Sequence, residues 1–228
     1  MMYYSNTPYE TLSGQVVMFE QDDTGVESPR DWDNLGKLML KGGRYIGHDE
    51  HPFFNVTALV AWSDGMGIED AQDFIARNDE WLEKSEIRSM FAEFEREIAA
   101  IRQVYRYEHS GVAYNTTGFS CRWDSGKVGV IFALKSDVRE NFNVKRISRK
   151  LVERVEKSLD AEIETYSQWA NGDVYGIKLF QSLADFQSGH DSDSCWGFYF
   201  DGNYDFSHAV KDHFGVEIKG ELNSRKAA

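Results

Sequence analysis

The chain has 228 residues, 41% of them hydrophobic and 14% aromatic, which is enough for a sizeable core and too apolar for a disordered segment. A net charge of −13 argues against non-specific attachment to nucleic acid or to an anionic membrane, while leaving room for a local basic groove. No apolar run approaches the ~20 residues of a membrane span, and the opening MMYYSNTPYETLSG lacks the basic-then-apolar order of a signal peptide, so a cytoplasmic location is expected.

Residues 15–20 (QVVMFE) read as a first strand, closed by the turn formers Asp22, Asp23 and Gly25. Residues 28–36 (SPRDWDNLG) read as an ordered loop, and Gly42, Gly43 and Gly47 keep the following stretch irregular as far as His48 and His51. Residues 56–62 (VTALVAW) suit either a buried strand or the approach to a helix. From Gly67 to Arg102 the period is helical. Ala71, Phe74, Ile75, Asn78, Trp81 and Leu82 share one face, and Ile87, Met90, Phe91, Phe94, Ile98 and Ile101 another, with Ser85 as a cap between two helices. Strands follow at 104–109, 112–116 and 127–134, the first two joined as a hairpin through Ser110-Gly111. Ile147, Leu151, Val155, Leu159, Ile163 and Tyr166 then mark an amphipathic helix over 143–169, stopped by Asn171-Gly172. Strands at 174–180 and 194–200 and a short helix at 206–214 complete the chain. Grouped strands with helices between them indicate an α+β fold with a largely antiparallel sheet and two to four helices. With three prolines and no Pro- or Ser-rich linker, one compact domain over 1–228 is expected, with 64–102 as a helical insertion.

Two cysteines without a CxxC pair are expected to be thiols, each a small hydrophobe beside an aromatic core. His109, Cys121 and Asp124 lie in or beside loops between neighbouring strands. A Cys–His–Asp group needs the imidazole to activate the thiolate and the carboxylate to orient the ring. His109 and Asp124 with His48, His51, Asp31 and Asp33 would suit a His/carboxylate metal centre, although no HExxH or HxH spacing supports one. Asp31, Trp32, Asp33 and Asn34 only superficially match a calcium loop; the plainer reading has Asp31 and Asn34 satisfying a tight turn while Trp32 plugs the core. Trp32, Trp123 and Trp196 are expected to be buried near one another, with truncation of Trp123 costing ~3–5 kcal/mol. Phosphate-loop, GxGxxG, GxSxG and kinase-type signatures are missing from the sequence, and no cofactor is indicated.

Charge is unevenly placed: residues 64–97 hold 11 acids and 4 bases, residues 145–157 hold 6 bases and 2 acids. The two stretches would suit docking within the chain or across a homodimer. Alternatively Glu69, Asp70, Glu83 and Glu86 would imitate DNA phosphate before a basic groove, or simply form a solvated helix face.

The blocks PRDWDNLG (29–36), YEHSG (107–111), FSCRWDSGKVG (119–129), NGDVYG (171–176) and SCWGFY (194–199) together resemble a family of proteins carried by bacteriophages, plasmids and conjugative elements, to which no activity is attached. The resemblance spans about residues 14–36 and 104–200. It implies an accessory protein of a mobile element in a bacterial cytoplasm. The leading expectation is a non-enzymatic protein that binds and antagonises a host protein, such as part of a defence system, without direct contact to nucleic acid or membrane. The alternatives are a small metal- or Cys-dependent hydrolase using His109, Cys121 and Asp124, and a structural or replication-associated phage protein.

Overall fold

The computed structural model describes residues 3–23, 25–40, 49, 53, 55–78, 81–201 and 204–222. In chain order the elements are β1 (Tyr9–Thr11), β2 (Val16–Gln21), a 3-10 turn (Pro29–Asp31), β3 (Lys37–Leu40) and α1 (Val56–Ser63). Next come α2 (Ile68–Asn78), α3 (Lys84–Glu97), β4 (Ile98–Glu108), β5 (Val112–Asn115) and β6 (Ser125–Leu134). The remainder is α4 (Lys135–Asn141), α5 (Arg149–Asn171), β7 (Tyr175–Phe180), α6 (Leu183–Ser188), β8 (Asp193–Phe198), α7 (Phe206–Phe214) and β9 (Ile218–Glu221). The fold is α+β, with every strand pairing antiparallel, in two sheets rather than one.

Chain contacts gather into two compact units, Ser28–Asn171 and a second built from Met1–Glu27 with Gly172–Ala228. The sequence shows no linker composition at either crossing, because the first unit is inserted within the second rather than strung after it.

In the inserted unit the sheet order is β3-β6-β4-β5. Strand alternation sends Met39, Ile98, Val130 and Phe132 to one face, where α1, α2 and α3 cover them with Leu59, Ala71, Ile75, Ile87 and Phe94. Leu38, Leu40, Ala100, Val104, Ile131 and Ala133 face the other way, against Val155, Leu159, Ile163 and Tyr166 of α5. The central strand β6 is therefore buried on both faces from Gly129 to Ala133. Gly129 is obligatory there, since a Cβ would run into the Met39 carbonyl and the Leu40 Cα of β3. The discontinuous unit has sheet order β8-β7-β2-β1-β9. One face packs Val17, Phe19, Ile177 and Leu179 under α7, and the other packs Val16 and Phe180 against Leu183 and Phe186 of α6.

Four expected helices correspond to α2, α3, α5 and α7, and residues 56–62 form α1 rather than a strand. The described residues hold seven α-helices, more than the two to four expected, because α1, α4 and α6 are too short to show a clear period. The helical reading to Arg102 is also corrected: α3 stops at Glu97 and Ile98 begins β4. Ile98 and Ile101 satisfy a helical spacing, but pairing of Ile98 with Leu134 and of Ile101 with Phe132 decides for strand. Ser85 is not the cap. Glu83 holds the N-cap position of α3, and the Glu86 carboxylate accepts its backbone N–H at 2.8 Å.

Candidate functional site

Three of the sequence-predicted residues meet where the β4–β5 turn approaches the β5–β6 connection. The Glu108 N–H donates to the Asp124 carbonyl at 2.9 Å, extending the β4–β6 ladder into the loop. The Asp124 carboxylate accepts the Cys121 S–H at 3.4 Å, and the same oxygen, Oδ2, lies 3.7 Å from His109 Nδ1. Ser125 Oγ donates to the Cys121 carbonyl. At the start of the connection, Asn115 Oδ1 accepts the N–H groups of Thr117 (3.2 Å) and Gly118 (2.7 Å), forming a tight turn in which Gly118 takes φ +85°. Phe119 packs on Tyr107 with ring centres 5.7 Å apart.

The order of contacts is thiol–carboxylate–imidazole. A nucleophilic cysteine of the usual kind needs the imidazole against the sulfur, whereas here the carboxylate stands between them. Nor is water excluded: the His109 side chain is 67% exposed, beside a cleft of about 350 Å³ lined by Glu108, Ser110, Gly111, Ala170 and Asn171. The arrangement is well suited to fixing a loop.

What the loop presents is Trp123, which is 96% exposed, next to the exposed Arg122. This overturns the expected burial of the tryptophans. Trp32 is 50% and Trp196 41% exposed. A loop of small and polar residues has no regular element to press its indole into the core, so local composition misleads. Trp196 has a partner of its own: its ring lies over Gly176 on the neighbouring strand, where any Cβ would collide with it, and Lys178 Nζ sits 5.5 Å from the ring centre. Two of the motif blocks are thus a mated Gly–Trp pair. Both cysteines are thiols. Cys195 is half-buried, with its sulfur 3.9 Å from His213 Nδ1, a neighbour not anticipated from the sequence.

The PRDWDNLG block is organised by Arg30, which sequence reading passed over. Its side chain is 5% exposed and reaches Asp49 at 2.5 Å, Glu162 of α5 at 2.9 Å and the Gly36 carbonyl at 2.6 Å. The carboxylates in turn accept backbone N–H groups, Glu162 from Gly36 (3.0 Å) and Asp49 from Leu38 (2.7 Å). Burial alone would lower the guanidinium pKa, but the hydrogen bonds and charges of Asp49 and Glu162 outweigh it and hold the pKa above its ordinary value. One signal was present: Glu162 stands three residues after Leu159 and four before Tyr166, an acid on the core stripe of α5 that requires a cation. Asp31 and Asp33 are exposed, and Asn34 donates to the carbonyls of Pro29 (2.7 Å) and Trp32 (3.0 Å). Asp33 and Asn34 line a cleft with Asp137 and Glu140 of α4, separate from the one lined by His109.

Glu69, Asp70, Glu83 and Glu86 are all exposed on α2, α3 and the segment joining them. Glu69 pairs with Lys84 at 3.2 Å, and Glu86 serves the cap of α3. Because α2–α3 and α5 cover opposite faces of one sheet, the acidic and basic stretches do not dock on each other within the chain. A third cleft, of about 260 Å³, lies between α1, α2 and β6, with the Asp64–Lys127 pair (2.5 Å) on its lining. Among the described residues no three His, Cys, Asp or Glu side chains form a metal-ligand set, and no helix is long and apolar enough to cross a membrane. His48 and His51 lie outside the described residues. No family model, curated protein or solved structure matches the chain.

Proposed function

We propose that this protein is a non-catalytic accessory protein of a bacterial mobile element that binds and antagonises a host protein, with the β5–β6 loop as its contact element. The observation that carries this reading is Trp123, 96% exposed on a loop held by the Asp124 contacts. An indole on a pinned loop loses little conformational freedom on docking, and Trp and Arg are the side chains that most often dominate protein interfaces. The motif resemblance adds the mobile-element setting. Truncating such an anchor costs about 2 kcal/mol or more, roughly 30-fold in affinity. Plaque counts of a restricted phage on cells expressing the wild-type chain, Trp123→Phe or Trp123→Ala test it. Protection is expected with the first two and lost with the third. Full protection by Trp123→Ala, at equal protein level, overturns the reading.

A second reading, a hydrolase using His109, Cys121 and Asp124, is favoured by the convergence of both other groups on Asp124 Oδ2. It requires the imidazole to move onto the sulfur. Rapid alkylation of Cys121 by iodoacetamide, slowed in His109→Ala, would favour it over the binder.

A further inference from the structure

The cations of residues 145–157 sit where helix electrostatics oppose them. Lys145 and Arg146 precede α5, Arg149 and Lys150 open it, and its first turn carries no acid. A helix N-terminus already bears about half a positive charge, so added cations there cost stability. The acidic helices behave in the opposite way: Glu69 and Asp70 open α2, and Glu86 opens α3, where the dipole favours them. The acidic surface therefore has a local structural reason, and the basic one has none.

Nor is the basic stretch neutralised by its surroundings. Its two carboxylates are engaged, Glu153 with Arg149 at 3.4 Å and Glu156 with Arg102 at 3.0 Å. Arg154 stacks on the Phe142 ring at 4.9 Å. Lys145, Arg146, Lys150 and Lys157 are exposed, and no carboxylate pairs with them among the described residues. Lys150 and Lys157 stand two turns apart, about 10 Å along the axis, on the side of α5 opposite Val155, Leu159 and Ile163.

The composition of the face distinguishes its partners. Among the described residues the exposed large hydrophobic side chains are Tyr4, Leu12, Trp32, Trp81, Trp123 and Trp196, and none falls within residues 139–157. A protein interface needs a buried apolar centre, which this face does not supply. A phosphate backbone needs only charge. We infer that this face binds the phosphate backbone of a nucleic acid, with Lys145, Arg146, Lys150 and Lys157 as the phosphate contacts. The net charge of −13 keeps the affinity low, and the phosphate contacts make it salt-dependent. It also confines the nucleic acid to one face of the inserted unit, narrowing the sequence-based expectation of no direct contact.

Fluorescence anisotropy with short mixed-sequence DNA and RNA duplexes, titrated with the full chain over a range of salt, tests this. Four phosphate contacts predict a log–log salt slope of about −3 to −4 on DNA. Charge reversal of the four residues to Glu should weaken binding at least ~100-fold at low salt and flatten the slope, with a thermal midpoint no lower than wild type. Binding of both duplexes, or of one alone, supports the assignment and identifies the source of the phosphate. Unchanged binding by the reversed variant, or no binding of either duplex at low salt, overturns it. So does retention of polyglutamate without either duplex, or self-association through these four residues in the absence of duplex binding.

Discussion

Trp123 and Arg30 show how differently two side chains in motif blocks are used. Trp123 is 96% exposed, so its removal takes little from the folded state. Trp123→Ala is expected to unfold in urea within about 0.5 kcal/mol of wild type, as exposed substitutions usually do. A loss of several kcal/mol would show that the loop folds back onto a core. Arg30 is the reverse case. Its guanidinium is 5% exposed between Asp49 and Glu162, so Arg30→Ala strands two carboxylates in a poorly hydrated site. The expected cost is about 3–5 kcal/mol in the same measurement. Gly36 belongs to this site as well. A Cβ there would come within 2.8 Å of Glu162 Oε2 and 2.7 Å of Leu159 Cδ2, which explains a glycine beside the ion pairs.

Among the elements, α7 is bounded by local chemistry at both ends. Asp205 Oδ1 accepts the backbone N–H groups of Ser207 (2.9 Å) and His208 (3.1 Å), and Gly215 closes the helix at φ +68°. Asp205→Ala should cost about 0.5–2 kcal/mol, read from thermal or urea unfolding. The pH dependence follows from the carboxyl itself. Burial alone would raise its pKa, but hydrogen bonds from Ser207 and His208 outweigh that and hold it below 3.8. A carboxylate held low in the folded state stabilises fully above its unfolded pKa and loses that contribution as pH falls through the folded value. The stability gap between wild type and Asp205→Ala is therefore expected to be constant near neutrality and to narrow only below about pH 4. A gap that closes near neutrality would contradict this assignment to the Asp205 carboxyl.

For the whole molecule, the main consequence of the fold is that the inserted unit is self-sufficient. It has a core on each face of its sheet, and Arg30 near its first residue binds Glu162 on its last helix. A fragment of residues 28–171 is expected to fold alone, with a single cooperative thermal transition. Non-cooperative melting together with binding of a hydrophobic dye would contradict this. The fragment also retains Trp123 and the cations of α5, so the two proposed contact surfaces can be assayed on it once folding is verified.

Legibility in the sequence followed the range of the interactions. The α7 boundaries, the stripe of α5 and the β4–β5 hairpin depend on caps, periods and turns within a few residues, and sequence alone located them. Trp123, Ile98 and Arg30 were decided by partners far away in the chain or by their lack. Periodicity treats Ile98 as helical until Leu134 pairs with it. Nothing near Arg30 names Glu162, which lies 132 residues on. Two aromatic, glycine-rich blocks look alike in sequence, yet Trp196 covers Gly176 on an adjacent strand while Trp123 meets solvent. The same limit applies to the division into two units. A linker leaves a compositional trace, but insertion is a property of which segments touch, and only the tertiary structure holds that information.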